Sequence, residues 1–223
     1  LVKDGKIATG WQTWDGNKYY MNRDGSMRSN EWRLDDTGKI RYLCSWGGAY
    51  KSRSAKINGR SYTFNSAAEV TNMQWIVMDG QWKLAKDGKI ATGWQTWDNN
   101  RYYLNADGTM KANGWMIDTD GSVYYFRSWG AAYKNAWAKV NNVWYYFDGN
   151  GKKYTSGWLT YKGNEYYLKS DGTMLANEWL DGKYYFKSWG GMYKNEWGKS
   201  GDIWYWFNAD GTKRTQKGWF LYD

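Results

Sequence analysis

The sequence predicts an all-β fold, a solenoid of stacked two-stranded β-hairpins built from repeats of about 21 residues. Three observations predict it. A tryptophan returns at that spacing from end to end, at Trp11, Trp32, Trp75, Trp94, Trp115, Trp137, Trp158, Trp179, Trp197 and Trp219, and Ser54 keeps the interval where the ring is missing. Two-residue turn signals separate short strand-like runs. Trp, Tyr and Phe number 46 against 23 for Leu, Ile and Val, so the interior is built from rings more than from aliphatic chains.

The clearest unit is Trp137 to Phe147, WAKVNNVWYYF. Asn141-Asn142 is its turn, because asparagine tolerates the positive φ that a two-residue hairpin demands. Pairing outward sets Val140 opposite Val143, Lys139 opposite Trp144, Ala138 opposite Tyr145 and Trp137 opposite Tyr146. Faces alternate along a strand, so Trp137, Lys139, Trp144 and Tyr146 share one side, and Ala138, Val140, Val143 and Tyr145 the other. Asp15-Gly16, Asp98-Asn99, Lys162-Gly163 and Gly201-Asp202 are the corresponding turns elsewhere. A short loop follows each hairpin, usually with Asp-Gly, as at Asp24-Gly25, Asp107-Gly108, Asp171-Gly172 and Asp210-Gly211. One hairpin alone is marginal in water, so the units must stack, and internal units should be firmer than terminal ones.

A longer period lies over the short one. Residues 4–34 and 87–117 agree at 21 of 31 positions, and 156–180 is a looser third copy. The expected organisation is a single array over residues 1–223, of ten to eleven hairpin units in blocks starting near 4, 87 and 149. Any function should be spread over several equivalent sites.

Composition narrows the function. The net charge of +9, from 31 basic and 22 acidic residues, points to an anionic polymer as partner. Gly is frequent at 27 and Pro is absent, which suits many tight turns between short strands. With no His and only Cys44, the sequence offers neither an internal disulfide nor a usual transition-metal site, so no cofactor is expected. Asp118-Thr119-Asp120-Gly121 has the start of a calcium loop without its distal Glu, and reads as a turn. No nucleophile has a base near it in sequence, so catalysis is not expected within these residues. No apolar run approaches the ~20 residues of a membrane span. The start at Leu1, inside a repeat, suggests a fragment or a processed product.

The phrases Trp137 with Trp144-Tyr145-Tyr146 and Trp197 with Trp204-Tyr205-Trp206, together with Gly-x-Met triplets ending at Met27, Met110 and Met174, resemble the choline-binding repeats of Gram-positive surface proteins and phage lysins. The resemblance covers essentially the whole chain. It implies a secreted, cell-surface module whose grooves hold choline groups of teichoic or lipoteichoic acid, with any murein hydrolase domain outside this chain. A quaternary ammonium cannot donate hydrogen bonds, and a box of two or three rings binds it at ~0.5–2 kcal/mol per cation–π contact. By that resemblance one box takes Trp137, Trp144 and Tyr167. Trp197 with Trp204, Trp158 with Tyr185, and Trp115 with Tyr146 are the further candidates. The other use of these rings is to pack hairpin on hairpin.

The sequence departs from the family pattern at several places. Lys18, Arg101, Glu165 and Lys183 replace the second-strand Trp, and Ser54, Ser61 and Thr63 remove three rings from one unit. The grooves at Trp11/Lys18/Tyr42 and Trp94/Arg101/Tyr125 should therefore bind less well than Trp137/Trp144/Tyr167. Glu165 could instead favour a cation. A Ser-Trp-Gly-Gly/Ala phrase recurs at Trp46, Trp129 and Trp189, and puts a ring where other loops have Asp; it either caps a neighbouring groove or lids the apolar seam. Two rival functions are glucan binding by ring stacking and single-stranded nucleic-acid binding; basic residues scattered through every unit, with no nucleic-acid module motif, argue against the second, so no nucleic-acid partner is expected.

Overall fold

The computed structural model describes residues 2–3 and 5–215, which leaves Trp219 outside the described residues. The described residues are all-β, in consecutive antiparallel hairpins. They form two compact units, Leu1–Gly114 with Phe126–Ala132, and Trp115–Tyr125 with Tyr133–Asp223. Each is a solenoid run of hairpins. No helix among the described residues is long and apolar enough to cross a membrane.

Turn chemistry fixes the register. Asn141 and Asn142 take φ of 49° and 66°, and Val140↔Val143 through Trp137↔Tyr146 pair as the turn requires. Asp15-Gly16, Asp98-Asn99 and Lys162-Gly163 likewise place both central residues at positive φ. At Gly201-Asp202 the glycine, φ 59°, takes the left-handed position between Ser200 and Ile203.

After most second strands the chain closes a tight loop and bridges back six residues later, as in Leu104↔Met110, Phe147↔Lys153, Leu168↔Met174 and Phe207↔Lys213. That bridging residue also donates its N–H to the second strand of the preceding hairpin: Ala49 to the Lys18 carbonyl, Lys153 to Val123, Met174 to Trp144, Met192 to Glu165 and Lys213 to Lys183. The closing residue of each of these loops is thereby held at the same point of the groove between two hairpins.

Several units depart from the simple two-residue hairpin, among them those at 74–90, 31–43 and 114–126. Gln74–Met78, Gln81–Lys86 and Lys89–Ile90 form a three-stranded sheet, because the Asp87-Gly88 turn takes the place of the usual loop. In the hairpin 31–43 the connection is longer, and Asp35 holds it by accepting from Thr37 and Lys39 amides and from Arg41.

The core is a seam of anchor tryptophans. Most meet a tyrosine across their own hairpin, though Trp75 faces Leu84 and Trp197 faces Trp206, and several then meet rings from the next: Trp32 with Tyr62 at 4.7 Å and Phe64 at 6.0 Å, Trp115 with Tyr145 at 5.1 Å, and Trp179 with Tyr205 at 5.0 Å. Phe64, Phe126, Phe147, Phe186 and Phe207, at the ends of second strands, are fully buried. Such ring pairs contribute ~0.5–1.5 kcal/mol each beyond their burial, so neighbouring units support one another.

Candidate functional site

Successive units stack head to tail, so the face of one hairpin bearing its anchor Trp meets the opposite face of the next. Trp137 accordingly packs on Tyr166 at 5.0 Å and Tyr161 at 6.3 Å. Tyr166 pairs across its hairpin with Leu159, whereas Tyr167 pairs with Trp158 and lies 5.4 Å from that ring, on the far side. The structure does not bring Tyr167 to Trp137. The same one-residue offset sets Tyr184, not Tyr185, 5.0 Å from Trp158, while Tyr185 stays with Trp179 at 4.8 Å. It leaves Tyr42 on Trp32 and Tyr125 on Trp115, each within its own hairpin. Tyr146 is buried between Trp137 and Tyr161, and Trp115 is half-buried against Tyr145 and Phe147.

The most complete groove contains Trp129, one of the candidate loop rings, together with Trp75, Trp82 and Tyr102, which the sequence reading did not single out as binding residues. Trp75 and Trp82 from one unit, Tyr102 and Met110 from the next, and Ser128 and Trp129 from the loop beyond enclose about 380 Å³, with Arg60 at the rim. Trp75 and Tyr102, 9 % and 6 % exposed, form the floor in an edge-to-face pair at 5.1 Å. Trp82 and Trp129, 42 % and 51 % exposed, stand as walls, with the Trp129 ring 6.2 Å from Tyr102. Met110 closes the inner end and lies so near Gly130 that a Cβ there would fall on its sulfur. The Arg60 guanidinium sits over the outer wall, 4.6 Å from the Trp82 ring.

The same parts recur. Trp137 and Trp144, Tyr166 and Met174, and Trp189 occupy the equivalent positions, with Trp189 6.0 Å from Tyr166 and Met174 pressed on Gly190. Lys139 reaches within 6.0 Å of Trp144. Near the start of the chain, Tyr19, Met27 and Trp46 join Trp14 and Met21 around about 330 Å³. Near its end Trp197 and Trp204, both exposed, open onto a cleft of about 470 Å³. Trp46 and Trp129 thus line clefts, and Trp189 meets Tyr166 as Trp129 meets Tyr102. Their loops bond as the Asp-Gly loops do: the Lys187 amide donates to the Gly191 carbonyl as the Lys169 amide does to that of Thr173, and the Trp189 ring stands where Asp171 folds back on the Thr173 amide.

The electrostatics suit a cation that does not titrate. Burial pushes the phenols of Tyr102 and Tyr166 above the ordinary tyrosine value, so these rings stay neutral and present their faces. Another groove differs in kind. Around Trp158, Tyr184 and Met192 stand Glu165, Asp210 and Lys194, enclosing about 200 Å³. Glu165 accepts from the Thr160 hydroxyl at 3.0 Å. Trp11 and Trp94 face guanidinium groups instead, with Arg41 5.9 Å from Trp11 and Arg101 4.2 Å from Trp94. In the turn at 118–121, Asp120 accepts from the Ser122 amide and pairs with Lys152 at 2.9 Å.

Comparison with known proteins agrees with this architecture. Residues 91–137 and 153–188 match choline-binding repeats, and residues 9–27, 135–153 and 195–213 match the cell wall binding repeat. The chain belongs to the choline-binding repeat family. Among solved structures it is similar to choline binding protein F from Streptococcus pneumoniae, 26 % identical with a TM-score of 0.57 over 96 % of this chain and 89 % of that one. The choline-binding domain of CbpL from the same species is 28 % identical with a TM-score of 0.50, covering 95 % of this chain and all of that one. Among curated proteins it is similar to Glucosyltransferase-I of Streptococcus downei, 29 % identical over 168 residues, 61 % of this chain. Glucosyltransferase-S of that species is 30 % identical over 144 residues, 55 % of this chain. The chain spans about a tenth of the length of these curated relatives.

Proposed function

We propose that the chain is a non-catalytic cell-wall-binding module, a single repeat array, which anchors the protein it belongs to on the bacterial surface. It holds choline groups of teichoic or lipoteichoic acid between successive hairpins. The observation behind this reading is the groove of Trp75, Trp82, Tyr102, Met110 and Trp129, in which four rings and a thioether surround the space, with Arg60 and Ser128 as its polar lining. A quaternary ammonium needs ring faces and dispersion and makes no use of donors. The surplus of basic residues, +9 overall, complements the phosphates of such a polymer. Binding is distributed, so several weak sites along one polymer combine by effective concentration.

Glucan binding is the second reading, favoured by two observations. The curated relatives are named glucosyltransferases, and the groove at Trp158 combines a ring face with Glu165, Asp210 and Lys194, a set of acceptors and a donor that suits hydroxyl groups. Parallel titrations of tryptophan fluorescence with choline, dextran and a single-stranded oligonucleotide separate the readings. A saturable response to choline alone supports the first. A response to dextran without one to choline transfers the assignment to glucan, and a response to the oligonucleotide alone transfers it to nucleic acid.

A further inference from the structure

In several grooves the residue that closes the loop reaches into the groove beneath it. In the grooves capped by Trp46, Trp129 and Trp189 that residue is Met27, Met110 or Met174. Two other grooves have a lysine at the same point. Lys153 reaches inward until its Nζ is 5.7 Å from the Trp115 ring and 5.8 Å from Tyr145. Lys213 does the same between Trp179 at 5.2 Å and Tyr205 at 5.6 Å. Trp115/Tyr145 and Trp179/Tyr205 are the counterparts of Trp75/Tyr102 and Trp137/Tyr166, at the same edge-to-face or tilted separation of 5.0–5.1 Å. An ammonium of the chain therefore stands within cation–π reach of both rings, where an external ammonium would stand in an open groove.

The loop beyond differs in step. Where Met110 and Met174 are capped by Trp129 and Trp189, Lys153 meets Asp171, whose backbone carbonyl accepts from Nζ at 2.9 Å. A primary ammonium has N–H groups for that bond and a quaternary one has none. The lysine stem packs on Gly172, as Met110 and Met174 pack on Gly130 and Gly190. Lys153 thus ties three consecutive hairpins through two ring faces and one hydrogen bond.

We propose that Lys153 and Lys213 are resident ligands of the array, ammonium groups built into the grooves Trp115/Tyr145 and Trp179/Tyr205, which close those grooves to external cations and thereby set which grooves bind. The inference rests on the reading that the open grooves take a quaternary ammonium. In the closed grooves the internal cation supplies permanently the bridging that an external choline supplies in the open ones, so the array contains both fixed and ligand-dependent joints.

The test uses the full chain and Lys153→Met, a change that keeps the aliphatic stem and installs the residue the array itself uses at Met110 and Met174. Thermal melts are followed without ligand, with choline, and with sodium chloride at equal ionic strength. The ligand-free variant should melt below the parent. At choline about tenfold above its dissociation constant for the variant, the variant should gain roughly 2–4 °C beyond the parent's own shift, by mass action on the newly opened groove. The double variant Lys153→Met/Lys213→Met should gain about twice that excess. A parent that responds to choline, with a variant that responds no more than the parent, overturns the inference. A variant that responds while the parent does not upholds the inference and refutes the reading of the open grooves. If neither responds, both fall.

Discussion

Replacing Trp82 by alanine removes one wall of the most complete groove while leaving its floor in place. Trp82 is 42 % exposed and stands on a strand opposite Val77, so the fold loses little: the cost should be on the order of 1 kcal/mol. Trp75→Ala is a different change, because that ring is buried on Tyr102, and its loss should cost ~3–5 kcal/mol and loosen the seam itself. For binding, one ring face contributes ~0.5–2 kcal/mol to a bound ammonium, which is about 2-fold to 30-fold in the dissociation constant at that site. The assay is calorimetric titration with choline, paired with a melt to verify folding, and Ile117→Ala as an exposed control. One site should weaken within that range while the others keep their affinity. Unchanged affinity at every site, in a variant that melts like the parent, would refute the assignment of this groove.

Arg60→Ala should tighten the same groove by a few-fold in calorimetry, because the guanidinium 4.6 Å from Trp82 repels an incoming cation and occupies one face of the ring. Choline affinity should stay flat from about pH 6 to 9, since the ligand has no titrating proton and burial holds the Tyr102 and Tyr166 phenols above their ordinary range; a binding step near neutrality in a pH series would contradict this. Asp35 should make stability acid-sensitive. Desolvation opposes its charge, but bonds from Thr37, Lys39 and Arg41 outweigh that and hold its carboxyl far below the usual carboxylate range. A depressed folded value contributes stability above the unfolded value near 4 and loses it progressively as the pH falls below that. Asp35→Asn, which leaves Arg41 buried at 3 % exposure with half its partner set, should cost ~3 kcal/mol at pH 7 and give a flatter acid melt than the parent.

The hairpin register was legible in the sequence because Asn-Asn, Asp-Gly and Lys-Gly turns admit few geometries, and the pairs from Val140↔Val143 to Trp137↔Tyr146 follow from the turn alone. Which ring of the next unit meets an anchor Trp was not. That depends on how units stack, and a head-to-tail stack sets unlike faces together, selecting Tyr166 over Tyr167 and Tyr184 over Tyr185. The groove at Trp75 had a signal of its own: Trp75/Trp82, Trp137/Trp144 and Trp197/Trp204 share one seven-residue spacing. The three-stranded sheet at 74–90 obscured it by shortening the interval to Trp94. The loop tryptophans stood out as a recurring phrase, but only the loop closure, which aims Trp129 at Tyr102 two hairpins' connections away, distinguishes a groove cap from a lid on the seam. The role of Lys153 was hidden for the same reason, since nothing local in the sequence tells an exposed lysine from one turned onto Trp115 and Tyr145.

A crystal structure of the chain soaked in choline is the most direct measurement of the central claim. The account predicts trimethylammonium density between Trp75, Trp82, Tyr102 and Trp129, and again among Trp137, Trp144, Tyr166 and Trp189, with the Trp115/Tyr145 groove still filled by Lys153. Choline density absent from both tryptophan-capped grooves, or seated on Trp115 in place of the lysine, would contradict it.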